Sequence, residues 1–165
     1  MVEVYPNLFV GNEADANNVL HTPGWYVVHA CKEPFHRQAL GYTDRGAPKD
    51  HPEYLVAERD GRLALNLVDA PNPAYIPKEV IDAALAAIHQ NISQSKVLVH
   101  CNQGMSRSPT IALLYLAGYT SALGKNDFEQ TLVDFKKLYP AYAPAGGMYH
   151  FAQQNWHSYT KDIKQ

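Results

Sequence analysis

Apolar positions in this chain change period several times, and each change marks an element. Val2 to Val10 alternates around Pro6-Asn7, which predicts two short strands joined by a turn. Ala14 to Leu20 reads as a brief helix and Trp25 to Ala30 as an apolar strand. Tyr54 to Glu58 and Arg62 to Leu67 are extended runs on either side of Asp60-Gly61, a strong hairpin signal. Between Pro77 and Ile92 the residues Ile81, Leu85, Ile88 and Ile92 recur at helical spacing. Val97 to Val99 is too short for a helix and reads as a buried strand. Thr110 to Ala122 is apolar almost all round, as in a helix packed on several sides. Asn126 and Glu129 predict a capping box ahead of the buried stripe Phe128, Leu132 and Phe135. Tyr139 to Pro144 breaks that helix, and Met148, Phe151, Ala152, Trp156 and Tyr159 mark a last amphipathic one. Strands interleaved with helices predict an α/β chain whose central mixed sheet of four to five strands is flanked by helices.

The chemistry concentrates where the strand Val97–Val99 runs into the apolar helix, in His100-Cys-Asn-Gln-Gly-Met-Ser-Arg-Ser108. Ser108 is the expected N-cap, with Pro109 at the first helical position, where a missing N–H is harmless. The connection must wrap tightly, and Gly104 adopts backbone angles that other residues resist. A wrap of this kind turns backbone N–H groups of the loop Asn102, Gln103, Gly104, Met105, Ser106 and Arg107 toward the positive end of a helix dipole. The result is a cradle for an oxyanion such as phosphate. Cys101 stands at its mouth, where a thiolate is stabilised by helix terminus and guanidinium together and acts as nucleophile. Arg107 offers a planar fork for two phosphate oxygens, which Lys cannot imitate. Ser108 can give its hydroxyl to the sulfur when the sulfur leaves, and His100 is placed to orient the loop backbone. Taken singly, a buried Cys is an inert small hydrophobe, a Ser near a helix start is a cap, and a His after a strand is a core residue. The string as a whole is much harder to read that way.

His100 to Ser108 resembles the signature of the cysteine-based protein tyrosine phosphatases, in the form typical of the dual-specificity branch. That resemblance implies a dual-specificity phosphatase fold and a general-acid Asp on a loop about thirty residues before the nucleophile. Asp69, in Asn66-Leu-Val-Asp-Ala-Pro-Asn-Pro73, stands at the matching place. An early Asp and a late Cys set the chain apart from low-molecular-weight phosphatases and arsenate reductases, whose nucleophile lies near the start. The opening Tyr5-Pro-Asn-Leu-Phe-Val-Gly-Asn12 also resembles the start of a dual-specificity domain, where it forms a sheet edge. Some relatives carry a second cysteine at a strand end that bridges to the nucleophile on oxidation. Cys31 is the candidate redox partner here, against the plainer reading of a buried Cys without a role. One departure concerns the loop's support: many relatives brace it with an Asn before the last helix, and Ala145 of Pro144-Ala-Gly-Gly147 falls at that place. The brace then comes from elsewhere, or the loop is looser.

Length and composition set the frame. One phosphatase domain over 1–165 is expected, with an insertion at 32–62 that is rich in Gly, Pro and charge in its first part. That insertion starts beside the active-site edge and reads equally as a lid, a substrate-recognition loop or a solvated surface loop. A net charge of −2 without a basic tail disfavours nucleic acid as partner. No segment has the length of a membrane span or the pattern of a signal peptide. Two distant cysteines, one needed as a thiolate, suit a reducing, cytoplasmic setting. No cofactor is called for, and His36 and His51 lack the carboxylate or Cys spacing of a metal site. The expected partner is a phosphorylated protein or peptide, and the expected state a monomer. The implied activity is metal-independent hydrolysis of phosphotyrosine, and of phosphoserine or phosphothreonine, through a cysteinyl-phosphate. Three alternatives stand beside it. The first is the same chemistry on a phosphoinositide or an RNA 5′-phosphate, which the lack of Lys or Arg within Asn102–Ser106 disfavours. The others are a non-catalytic phosphoprotein-binding module and a rhodanese-type sulfur transferase.

Overall fold

A computed structural model describes residues 1–161 of the 165. Six strands form one sheet in the order β1-β2-β6-β3-β5-β4. They are β1 (Val2–Tyr5), β2 (Leu8–Gly11), β3 (Trp25–His29), β4 (Val56–Arg59), β5 (Arg62–Leu65) and β6 (Lys96–His100). The four inner strands run parallel, and each edge strand closes antiparallel on its neighbour. The expected count of four to five falls short because both terminal hairpins contribute both of their strands. Asn7 and Gly61, with φ of 68° and 72°, make the two hairpin turns.

The helices are α1 (Glu13–Val19), α2 (Arg37–Leu40), α3 (Lys78–Asn91), α4 (Arg107–Tyr119), α5 (Phe128–Leu138) and α6 (Gly146–Thr160). Alternation along the inner strands divides the core into two layers. Val97 and Val99 of β6 face the larger one, built with α3, α4, α5 and α6, whereas Leu98 faces a smaller one with α1, Cys31 and Phe35. Every residue of α4 from Ser108 to Gly118 is buried, which accounts for its lack of a polar face. Leu113, Leu114 and Leu116 are fully enclosed, and each side chain so buried stabilises the fold by roughly 1.5–3 kcal/mol. The helix that begins at the cradle is therefore anchored in the best-packed part of the molecule.

Two helix starts differ from expectation. The N-cap of α4 is Ser106, so Arg107 opens the helix and Ser108 lies inside its first turn, fully buried. Its hydroxyl serves Cys101 and the Gly11 carbonyl instead of capping. The N-cap of α5 is Asp127, which accepts from the Gln130 N–H at 2.8 Å. Asn126 turns back to the Leu123 carbonyl and Asp134. A carboxylate one residue later wins because it also complements the helix dipole.

Between β3 and β4 the chain forms a wide helical turn at Lys32–His36, runs into α2, and then continues through 41–55 without helix or strand. It is nonetheless tightly tied. Arg37 pairs with Glu33 and donates to the carbonyls of Tyr42, Asp44 and Arg45. Arg59 joins Glu53 to the Ala39 carbonyl, and His36 bridges the Tyr42 hydroxyl and the Glu53 carbonyl. Such a web spares loop carbonyls from lying unpaired against the protein.

Candidate active site

Because the four inner strands are parallel, their C-terminal ends gather on one side, and three of the connections leaving them meet there. β6 ends at His100 and delivers Cys101; β5 leads through Asn66–Val68 to Asp69; β3 leads through Ala30 and Cys31 to the 32–36 turn. Cys101, Asn102, Gln103, Met105, Ser106 and Arg107 line one cavity of about 410 Å3 together with Asp69 and Ala143. The structure thus brings together Cys101, Arg107, Asp69 and the 102–106 loop.

Among the described residues no protein acceptor takes the backbone N–H of Asn102, Gln103, Gly104, Met105 or Ser106. Five free donors in succession at a helix N-terminus are the physical requirement of an anion cradle. Gly104 has φ 71°, and a Cβ there would meet the Gly11 carbonyl oxygen at 2.9 Å, so both backbone angle and space demand glycine.

Arg107 is held by two bonds, Nη1 donating to the Leu67 carbonyl at 3.2 Å and Nη2 to Asn102 Oδ1 at 2.8 Å. Its Nε is buried with no partner among the described residues. A buried guanidinium N–H without an acceptor is costly, and an anion in the cavity is the natural acceptor. Asn102 is itself fixed, its Nδ2 donating to Glu13 Oε2 at 3.0 Å and to the Glu33 carbonyl at 2.9 Å. The loop carrying Asp69 is pinned at Leu67, whose carbonyl also accepts from the Lys32 N–H at 2.9 Å.

Cys101 is 2% exposed and its Sγ lies 3.2 Å from Ser108 Oγ. That hydroxyl also reaches the Gly11 carbonyl at 3.3 Å. Either atom of the Cys101–Ser108 pair can be the donor, so this hydroxyl is in place to donate to the sulfur whenever the sulfur is a thiolate. Ser106 Oγ donates to Asp69 Oδ1 at 3.2 Å and accepts from the Ala145 N–H at 2.9 Å. A single hydroxyl therefore connects the cradle, the Asp69 loop and the start of α6. The brace that an Asn side chain would have supplied at position 145 comes instead from that backbone N–H, from Tyr139, whose hydroxyl donates to the Gly104 carbonyl at 2.6 Å, and from the Ala143 N–H on the Met105 carbonyl at 2.8 Å.

His100 is fully buried, with Nδ1 3.3 Å from the Cys101 carbonyl and Nε2 2.6 Å from His29 Nδ1. A carbonyl only accepts, so Nδ1 of His100 carries the proton and Nε2 accepts from His29. His29 Nε2 is then a bare nitrogen without a partner among the described residues, its ring stacked on Phe35 at 4.0 Å. Burial keeps both rings neutral: His100 is lowered to about 4 and His29 to about 2, burial leading in each case. Sequence patterning passed over His29 and Tyr139; the available signal was a polar residue at the end of the apolar strand Trp25–Ala30 and a Tyr in an apolar break. Both cysteines are free. Cys31 lies fully buried beside Phe35 and Leu98, and burial pushes its thiol up to about 12, outweighing the opposing pull of Arg107.

No protein-family model matches the chain. Dual specificity protein phosphatase 26 of Bos taurus is 31% identical over 119 residues, covering 71% of this chain and 51% of that protein. The chain spans about half the length of the curated relatives it matches. Among solved structures, DUSP15 superposes with a TM-score of 0.64 at 20% identity, over 98% of this chain and 90% of that one. The human tyrosine phosphatase-like serine/threonine/tyrosine-interacting protein gives 0.63 at 21% identity, over 95% of both chains. The fold is that of the dual-specificity phosphatases. The chain belongs to the cysteine-based protein tyrosine phosphatase superfamily, in its dual-specificity branch.

Proposed function

We propose that this protein hydrolyses phosphotyrosine, and also phosphoserine and phosphothreonine, on protein substrates through a cysteinyl-phosphate on Cys101. The observation that carries this reading is the meeting of Cys101, Arg107 and Asp69 around one cavity whose loop amides are uncommitted. The phosphoryl group settles on the loop N–H groups and Arg107, which hold its non-bridging oxygens by geometry and charge. The Cys101 thiolate forms the S–P bond while the ester O–P bond breaks, and Asp69 gives its proton to the departing oxygen. Asp69, now a carboxylate, takes a proton from water as that water bonds to phosphorus. The S–P bond then breaks, with the Ser108 hydroxyl donating to the returning thiolate. The 102–106 stretch contains no Lys or Arg, which favours a singly phosphorylated residue over a polyphosphate. Each turnover requires Cys101 reduced, which suits the cytoplasm, and the substrate partner is a phosphorylated protein or peptide. Every step uses a protein group, so a monomer in a chelator should retain full activity.

The deciding experiment compares aryl phosphates of differing leaving-group acidity with wild type and Asp69→Asn. The variant should lose on the order of a hundredfold or more on phenyl-type esters and far less on esters with acidic leaving groups. An equal loss on both would remove Asp69 from proton donation.

A further inference from the structure

A second cavity, of about 600 Å3, opens beside the phosphate site and shares Asp69 with it. One wall is the acid loop, through Val68, Pro71 and Tyr75; the other is the segment between β3 and β4, through Ala47, Tyr54 and Leu55. Seven large apolar residues are exposed among those described, and three of them border these two cavities: Val68 at 45%, Tyr75 at 70% and Met105 at 42%. Apolar side chains left in water around two openings that share a lining residue mark a surface meant to be covered.

The far wall is rigid. Asn66 Nδ2 holds the Tyr54 carbonyl at 2.8 Å, the Asn66 N–H holds the Leu55 carbonyl at 2.9 Å, and Lys32 Nζ holds the Arg45 carbonyl at 2.8 Å. The Arg37 and Arg59 clusters tie the rest of the segment down. A preformed cavity spends little of its binding energy on ordering itself.

We propose that this cavity receives an apolar side chain, aliphatic or aromatic, from a residue flanking the phosphorylated one in a substrate peptide. The inference rests on the phosphatase reading above, because the phosphoryl group in the cradle is what tethers the peptide across the shared Asp69. Successive residues of an extended peptide lie about 3.3 Å apart, so a neighbour of the phosphoresidue reaches an opening that shares Asp69 with the catalytic one. The segment between β3 and β4 is then a selectivity wall, and the chain chooses substrates by the residue next to the phosphate.

The test uses phosphotyrosine peptides in a polar host, with Leu, Phe or Ser placed in turn at each of the two positions on either side. Wild type should prefer Leu or Phe over Ser at one flanking position by on the order of tenfold in kcat/KM. Two substitutions probe the cavity. Tyr75→Ser removes an exposed lip, and Gly46→Trp fills the space, a Cβ at Gly46 meeting nothing within 4 Å. Each should bring the preference ratio toward one. Turnover of aryl phosphates without any flanking preference, or a preference unchanged in both variants, overturns the subsite alone. Absence of all turnover, on peptides and aryl phosphates alike, overturns the phosphatase reading and the subsite with it.

Discussion

Two bonds orient the Arg107 guanidinium, to the Leu67 carbonyl and to Asn102. Lys could supply the charge but not the fixed plane, nor the Nε–H that is buried without a partner among the described residues. Arg107→Lys should therefore weaken both inorganic phosphate binding and kcat/KM by about a hundredfold or more, read by calorimetry and steady-state kinetics. A loss confined to kcat would contradict the two-oxygen grip. The buried pair His29 and His100 makes a different prediction, about stability. Both are held below the ordinary His value of 6.5, so the unfolded chain binds protons there that the native chain refuses. The stability they support is complete above pH 6.5 and declines as pH falls toward about 4 for His100, and lower still for His29. Urea unfolding at pH 7.5 and pH 5 should show a smaller acid loss in His29→Leu than in wild type, and equal losses would remove His29 from the account.

At the scale of elements, the cradle, the acid loop and α6 act as one unit because Ser106 touches both Asp69 and the Ala145 N–H. On the proposed mechanism, Ser106→Ala should lower kcat several-fold on poor leaving groups and leave esters with acidic leaving groups nearly untouched, since it loosens the proposed proton donor and not the proposed nucleophile. An equal drop on both classes would place the effect in the cradle instead. Gly147 makes a second joint: a Cβ there would press into the Ala70 carbonyl oxygen. Gly147→Ala should displace the acid loop and lower the thermal midpoint by several degrees, checked by calorimetry. None of this joining was legible in the sequence, because it depends on distant segments meeting. What could be read was local: the strand before His100, the hairpin at Asp60-Gly61 and the apolar girth of α4 each follow from a few neighbouring residues. Ser108 was legible as a helix-start residue but not as a buried one, since the position of a cap shifts with how tightly the loop wraps. The neutral Asn126 gave way to Asp127 for an electrostatic reason that a capping pattern alone does not weigh. The loss of an Asn at position 145 was visible, whereas its substitutes, Tyr139 and backbone amides, were not, because hydroxyl–carbonyl bonds across 35 residues leave no periodic trace.

For the whole molecule, the parallel inner strands decide where the candidate site forms, by gathering the loops that carry Asp69, Cys101 and the 32–55 segment at one end of the sheet. The core beneath fixes them in register. No helix among the described residues is long and apolar enough to cross a membrane. The proposed hydrolysis depends on covalent capture of phosphorus by one sulfur, and the most direct measurement is rapid quenching. The protein would be mixed with a radiolabelled aryl phosphate, stopped in acid within milliseconds, digested and mapped. The label should appear on the peptide containing Cys101, at a level set by the balance of the two half-reactions, and vanish in Cys101→Ser. Turnover with the label on another residue, or hydrolysis that continues undiminished in Cys101→Ser, would contradict the account.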